Sequence, residues 1–364
     1  MRVAILHDYL NQYGGAEKVL ETLLEIFPKA DIYTLFYENK SELSAFKDNI
    51  KQTSFLDFPL SRKKHKFFIP FFPTASDNLK ILSGYDLIIS DSAGYSKGFN
   101  TPKNVFHLSY IHTPLRYAWE FKNYFKSPLL KFLGSPLANY LKKWDLKSSK
   151  NPNKVLVPSN FIKEKVSNFY GIDSEILYPP VDWTHINSIS KINKPENFYL
   201  AAGRLIGYKR FDLVIEAFKK LNLPLKIVGI GREIKNLKKL AGNSKNIEFL
   251  GFIPKESLYE LYSKTKGFIF PQIEDFGLVA AEAQSAGAPI IGLNAGGLKE
   301  IIKENETGIF FNEQNPNSLI EAIKKFENIK FDRIKISQRA KMFDKEIFKN
   351  RISFIANNNL DNKV

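Results

Sequence analysis

Two glutamates, Glu274 and Glu282, stand eight positions apart in the run Pro271-Gln272-Ile273-Glu274-Asp275-Phe276-Gly277-Leu278-Val279-Ala280-Ala281-Glu282, with Gly277 between them. The spacing predicts a helix over Leu278 to Ala286, entered through Gly277 and stopped by Gly287 and Pro289. The first N–H groups of a helix have no intrahelical partner and carry the positive end of its dipole. A diphosphate is therefore a natural guest near Gly277 to Val279. Eight residues at helical rise span at most ~12 Å, about the separation of the two hydroxyl-rich ends of a sugar-diphosphate-nucleoside. Each carboxylate can then accept from a pair of hydroxyls. Taken alone, the pair also describes a surface helix with two solvated glutamates.

A second group is basic. Arg204 and Lys209 follow the strand-like run Phe198 to Ala202 and precede a predicted helix from Asp212 to Leu221. Open α/β sheets bind ligands at that edge. Fixed cations beside a departing nucleoside diphosphate stabilise the transition state more than the ground state, Arg as a planar fork and Lys as a point charge. Gly229 and Gly231 repeat the arrangement after Leu225 to Val228, although a lone G-x-G is more often a tight turn than a ligand site. Near the N-terminus, the buried-strand pattern Val3 to His7 leads to Gly14-Gly15-Ala16-Glu17, which opens the amphipathic run Val19 to Phe27.

Histidine is scarce, five in 364 residues, so each is weighed separately. His112 lies where a strand end runs into a loop stopped by Pro114, in Ser109-Tyr110-Ile111-His112-Thr113-Pro114-Leu115-Arg116-Tyr117-Ala118-Trp119-Glu120. It reads either as a site residue or as a ring packed under Tyr117 and Trp119. His7 follows the first strand and backs the same kind of crevice, whereas His65, His107 and His185 have no comparable setting. Asp86 and Asp91 flank Leu87 to Ser90 and read as strand ends. No H-E-x-x-H, D-x-D or clustered carboxylates appear, so the expectation is no metal and no cofactor.

Together these segments resemble the family 4 glycosyltransferases of the GT-B fold, over nearly the whole chain. The matching elements are Glu274-x-Phe276-Gly277-Leu278-x3-Glu282, Gly203-Arg204-x4-Lys209, the Gly14-Gly15 loop and the His112 segment. The resemblance implies an α/β chain of two doubly wound, Rossmann-like domains facing a central cleft. It also implies a retaining transfer from a nucleotide-sugar, the departing phosphate taking the acceptor's proton on the same face. By resemblance, Arg204 and Lys209 hold the diphosphate, Glu282 the ribose and Glu274 the donor sugar hydroxyls. The N–H groups of Phe276, Gly277 and Leu278 complete the cradle, and Gly229 and Gly231 contact base and ribose. Gly14 and Gly15 permit close approach to the donor, and His112 bonds the donor sugar or phosphate near the reacting carbon. The wording of His7-Asp8-Tyr9-Leu10, Ile111 to Trp119 and Tyr208-Lys209-Arg210-Phe211 is similar to mannosyltransferases of lipopolysaccharide O-antigen and surface-polysaccharide synthesis, which implies GDP-mannose. Glu120 stands where that subgroup has Asp, and Arg210 where the wider family often has Gly. UDP-glucose, UDP-galactose and UDP-N-acetylglucosamine are the alternative donors. A GT-B nucleotide-sugar epimerase and a basic nucleic-acid-binding protein are the readings from other classes. The first lacks evident acid and base groups, and the second lacks helix-turn-helix, zinc-finger and RRM signatures.

The elements that must position these residues alternate strand and helix: strand-like runs at 2–6, 31–36, 86–90, 104–110, 154–157, 198–202, 225–228, 247–250, 267–271 and 289–293 argue for two doubly wound units. The expected boundaries are 1–186 for an acceptor-binding domain and 187–340 for a donor-binding domain, with polar 187–196 as linker. A last helix, about 341–364, crosses back to the first domain, and 357–364 is a frayed tail. With 44% hydrophobic residues two cores are affordable. Absent cysteines suit a reducing cytoplasm, the N-terminus lacks the regions of a signal peptide, and no apolar run approaches the ~20 residues of a membrane span.

A net charge of +15 calls for an anionic partner or surface. Phe58 to Pro73 mixes Arg62, Lys63, Lys64 and Lys66 with Phe67, Phe68, Phe71 and Phe72, while Leu137, Tyr140, Leu141 and Trp144 fall at helical spacing among Lys142, Lys143 and Lys147. Both segments, 58–73 and 137–147, read either as interfacial anchors on an anionic membrane bearing a lipid-linked acceptor or as domain core beside solvated lysines. Pro70 and Pro73 preclude a long helix in the first. The expected location is cytoplasmic, peripheral on the inner face of the cytoplasmic membrane, with no nucleic-acid partner.

Overall fold

The computed structural model describes residues 1–121, 128–192 and 194–361. The chain divides into two compact units, Met1–Pro180 with the segment from Phe348, and Val181–Ile347. The first unit carries β1 (Val3–His7), β2 (Asp31–Thr34), β3 (Ile50–Thr53), β4 (Leu87–Ser92), β5 (Phe106–Ile111), β6 (Lys154–Val157) and β7 (Glu175–Ile176), in the order β3-β2-β1-β4-β5-β6-β7. The second carries β8 (Tyr199–Ala202), β9 (Leu225–Val228), β10 (Ile247–Gly251), β11 (Gly267–Phe270), β12 (Ile290–Leu293) and β13 (Gly308–Phe311), in the order β10-β9-β8-β11-β12-β13. Every pairing within these sheets is parallel.

Parallel sheets need cover on both faces, and the central strands show it: Val3–His7, Leu87–Ser92 and Gly267–Phe270 are buried at every position. Helices supply that cover from apolar stripes. In the helix Phe211–Leu221, for example, Phe211, Leu213, Val214, Ile215, Ala217 and Phe218 are all buried. In each sheet the strand order reverses at one place, between β1 and β4 and between β8 and β11. There the loops leaving the strand ends part to either side and open a crevice, which is where ligands enter such sheets.

Several boundaries differ from the sequence reading. Residues 187–190 belong to the helix Trp183–Ser190 and not to a linker. Asn187 Nδ2 donates to Ser285 O at 2.9 Å and Trp183 Nε1 to Ser337 O at 2.7 Å, which ties this helix into the second unit. Asn193 of that linker lies outside the described residues. The division falls at Pro180/Val181 and Ile347/Phe348, against the expected 186/187 and about 341. The last helix runs Lys345–Asp361 through most of the expected tail; Phe348, Ile352, Ile355 and Ala356 are buried in the first unit's core, and residues 362–364 lie outside the described residues. Strands β3, β7 and β13 are additional.

In the helix Pro128–Ser148 the apolar stripe of 137–147 follows the domain-core alternative. Leu141 and Trp144 are buried in the first unit's core and Leu137 packs against it, leaving Tyr140 as the exposed apolar residue of that set. Helical periodicity marks an apolar stripe without saying what covers it. Residues 58–73 form short turns, Pro59–Lys64, His65–Phe71 and the start of Phe72–Asn78, as the two prolines require.

Candidate active site

In the second unit the reversal between β8 and β11 gathers most of the predicted donor-site residues. The loop after β8 carries exposed Arg204 and buried Lys209, the latter ending a single 3₁₀ turn, Gly207–Lys209. The loop after β11 carries Glu274 to Gly277 and enters the helix Leu278–Ser285, with Gly277 at φ 105°, a left-handed conformation that suits glycine. Lys209 Nζ donates to Glu274 Oε1, and the pair is largely shielded, with 11% and 21% of the two side chains exposed. The basic loop and the helix-start loop are thus joined at one point.

Arg210 adds a second brace. Its backbone is left-handed (φ 53°), which costs a non-glycine residue of order 1 kcal/mol. Its guanidinium bonds Asp212 through Nε and Nη2 at 3.1 Å and Gln314 Oε1 through Nη1 at 3.1 Å. Gln314 Nε2 in turn donates to Pro271 O at 2.9 Å, so the loops after β8, β11 and β13 are linked.

Glycines explain how closely the loops approach. A Cβ on Gly229 would fall 1.9 Å from Gly203 O, and one on Gly231 2.3 Å from Leu205 O. Both glycines therefore seat the loop that holds Arg204 and Lys209, a role in packing that the G-x-G spacing does not reveal. Gly296 and Gly297 do the same for the helix-start loop: their Cβ atoms would lie 2.4 Å from Glu274 O and 2.5 Å from Asp275 O, and Gly297 N donates to Glu274 O at 2.9 Å. The sequence reading omitted these two, although Ala295-Gly296-Gly297 before Leu298 carries the same glycine signal.

Phe276 is buried edge-on against Phe343, and Leu278 opens the helix. Glu282, 6% exposed, sits one turn inside. Burial first and then the Glu282 charge push the Tyr259 and Tyr262 hydroxyls above their usual range, so both stay protonated.

Gly14, Gly15 and His112 belong to the first unit, at the reversal between β1 and β4. Gly14 precedes the helix Gly15–Ile26, its Cβ position 3.3 Å from Glu17 Oε2. Asp91 pairs in register with His7 across β1 and β4, and it is not merely a strand end. Its carboxylate is fully buried and receives His7 Nδ1 at 2.8 Å and His112 Nε2 at 2.5 Å. His7 Nε2 also lies 3.7 Å from Glu17 Oε1. Burial opposes charge on His7, but Asp91 and Glu17 outweigh it and raise the ring to about 10. Burial likewise opposes ionisation of Asp91, and His112 and His7 outweigh it, holding the carboxyl below its usual range. Asp8 accepts from Tyr95 N at 3.0 Å and Ser96 N at 2.6 Å, yet burial still raises it. Asp91 was missed because its two partners are 84 and 21 positions away, brought together only by the parallel register.

Residues 13–184 match the model of "Glycosyltransferase Family 4" and residues 184–343 that of "Glycosyl transferases group 1". The chain belongs to the family 4, GT-B glycosyltransferases. An uncharacterized glycosyltransferase of Methanocaldococcus jannaschii is 27% identical over 208 residues, 54% of this chain and 56% of the relative. A Campylobacter jejuni N-acetylgalactosamine-N,N'-diacetylbacillosaminyl-diphospho-undecaprenol 4-alpha-N-acetylgalactosaminyltransferase is 29% identical over 240 residues, 62% of each chain. Overall this family member spans about half the length of the curated relatives it matches. Among solved structures, Anabaena HepE in complex with UDP superposes with a TM-score of 0.71 at 14% identity, covering 98% of this chain and 100% of that one, a likeness of fold.

Proposed function

We propose that this chain transfers a hexose, with retention and without a metal, from a nucleoside-diphosphate sugar to a lipid-linked saccharide in surface-polysaccharide or lipopolysaccharide synthesis. The observation that carries the donor reading is the junction of Lys209 with Glu274 beside the start of the helix Leu278–Ser285. There a cation, a helix start and a carboxylate lie within one strand-end crevice. The diphosphate takes Arg204, Lys209 and the N–H groups of Phe276 to Leu278; Glu274 accepts from sugar hydroxyls and Glu282 from the ribose. GDP-mannose is the donor that the wording of the motifs supports. The names of the Campylobacter relative and of the UDP-bound Anabaena structure support a nucleotide-sugar donor and a diphospho-lipid acceptor more generally.

The membrane partner rests on a surface. Phe55, Leu60, Phe67 and Phe71 are 53–76% exposed beside exposed Lys63, Lys64 and Lys66, apolar and cationic groups together as an anionic leaflet requires. No helix among the described residues is long and apolar enough to cross a membrane. A peripheral place on the inner face of the cytoplasmic membrane follows from this reading. The test of the reaction is proton NMR of the product made from GDP-mannose with an extracted lipid-linked acceptor in excess EDTA. An α-linked product retains the donor's anomeric configuration and supports the proposal; a β-linked product, or a rate abolished by EDTA and restored by Mg²⁺, refutes it.

A further inference from the structure

Within the first unit, residues 98–105 lead into β5 and residues 147–153 join the helix Pro128–Ser148 to β6. Between these two connections lies a cavity of about 550 Å³. His107 lines it near the start of β5, whereas His112 follows the far end of that strand. Five residues at strand rise separate the two by roughly 16 Å, so the cavity stands apart from the crevice between β1 and β4.

The charge of its wall is one-sided. Lys103, Lys147 and Lys150 line it with a single carboxylate, Asp77, whose Oδ1 already accepts from Trp144 Nε1 at 3.0 Å. No carboxylate among the described residues pairs with any of the three lysines. Their ammonium groups are not needed to close the helix end either. The carbonyls of Asp145, Leu146, Lys147 and Ser148 accept from Ser149 N, Ser149 Oγ, Lys150 N and Asn151 N. Neutral groups add to the wall. Asn153 Oδ1 is committed to His107 N at 2.8 Å, which leaves the Asn153 amide hydrogens to donate elsewhere. His107 Nδ1 is buried without a hydrogen-bond partner among the described residues, and burial keeps the ring uncharged, so the positive charge is that of the lysines alone.

We infer that this cavity is a second ligand site, which takes the phosphate of a phosphorylated molecule on Lys103, Lys147 and Lys150 with Asn153 Nδ2 as a neutral donor. Lysine offers a point charge and three donors to phosphate oxygens, and no arginine lines the cavity to fork a planar carboxylate. The volume suits a ligand of sugar-phosphate or lipid-headgroup size. Its residues are separate from Arg204, Lys209, Glu274 and Glu282, so the inference stands whether or not the second unit grips a nucleotide-sugar.

The test is calorimetric titration of the full chain with inorganic phosphate, glycerol 3-phosphate and malonate at a constant ionic strength of about 0.1 M. Sedimentation with phosphatidylcholine vesicles, with and without phosphatidic acid, supplies the lipid arm. Saturable binding of a phosphate probe is expected, weakened about tenfold to a hundredfold in Lys103→Gln/Lys147→Gln/Lys150→Gln at unchanged Tm. Asn153→Asp keeps the acceptor for His107 N but places an anion at the site, and is expected to weaken binding about tenfold; it serves equally should the triple variant unfold. A loss seen with the soluble probes assigns a free phosphorylated ligand, and one confined to phosphatidic acid vesicles assigns a lipid headgroup. Malonate bound as tightly as phosphate, or no phosphate probe weakened by either variant, overturns the inference.

Discussion

The closest approach in the candidate donor site yields a graded prediction. A Cβ on Gly229 would lie 1.9 Å from Gly203 O, and contacts under about 3.0 Å do not persist, so Gly229→Ala forces backbone apart by roughly 1.1 Å. Gly229 also has φ 134°, which alanine adopts only under strain, and Gly203 opposite has φ 148°, so neither side yields easily. The displaced loop is the one that carries Arg204 and Lys209. A misplacement of about 1 Å at a reacting centre costs on the order of a hundredfold in rate, and overpacking plus strain costs about 3 kcal/mol of stability. For a unit of this size that is a fall in Tm on the order of 10 °C. Gly207→Ala is the internal control: it lies in the same loop, its Cβ meets nothing within 4 Å and its φ is unstrained. The assay is nucleoside diphosphate release, with calorimetry for Tm. Gly229→Ala within threefold of wild type at unchanged Tm, or an equal loss in Gly207→Ala, would refute the steric account of this glycine.

Lys209→Met removes the shielded cation paired with Glu274; kcat/KM is expected to fall by about 10²–10³ while the protein stays folded, as checked by steady-state kinetics and circular dichroism. Lys97→Met strips the cation from Asp145, both side chains fully buried, and is expected to cost about 3–5 kcal/mol in urea unfolding, against at most about 1 kcal/mol for Lys324→Ala in the exposed pair with Glu321. His107 is fully buried and lowered to about 3, so from pH 6.5 down to about 3 the unfolded chain holds a proton that the folded chain does not. Stability then falls on acidification by up to about 1.4 kcal/mol per unit, and His107→Gln is expected to recover about 2 kcal/mol of the loss between pH 6.5 and 4.5. His7, raised to about 10, has the opposite sense: its contribution is complete below pH 6.5 and is lost as pH rises through 10, a loss that His7→Gln removes from alkaline unfolding curves.

What could be read from the chain depended on how far apart the interacting residues lie. Central strands are legible because both faces are covered: β8 and β11 are continuous apolar runs, β1 is apolar up to His7, and β4 opens on Leu87-Ile88-Ile89. Strands β3 and β7 sit at the edges of their sheet, half-exposed and, for β7, two residues long, so no pattern marked them. β13 is apolar but only four residues long, and it passed as loop. The glycines were visible, but not whether each serves a ligand or a neighbouring backbone; Gly229 and Gly231 face Gly203 and Leu205. Trp144 and Leu141 announced an amphipathic helix whose stripe turned out to be spent on the domain's own core. Asp91 gave no local signal at all, since its meaning comes from β1 and β5 lying on either side of β4.

The central claim is that the second unit grips a nucleoside diphosphate at Lys209, the helix start and Glu282, and calorimetric binding of GDP, UDP, ADP, GDP-mannose, UDP-glucose and NAD in EDTA tests it directly. The account predicts binding of GDP and GDP-mannose by the wild type, lost in Glu282→Gln with the fold intact. Preference for UDP would keep the grip and replace the mannosyl donor, while binding of none of these nucleotides, or equal binding by the variant, would contradict it.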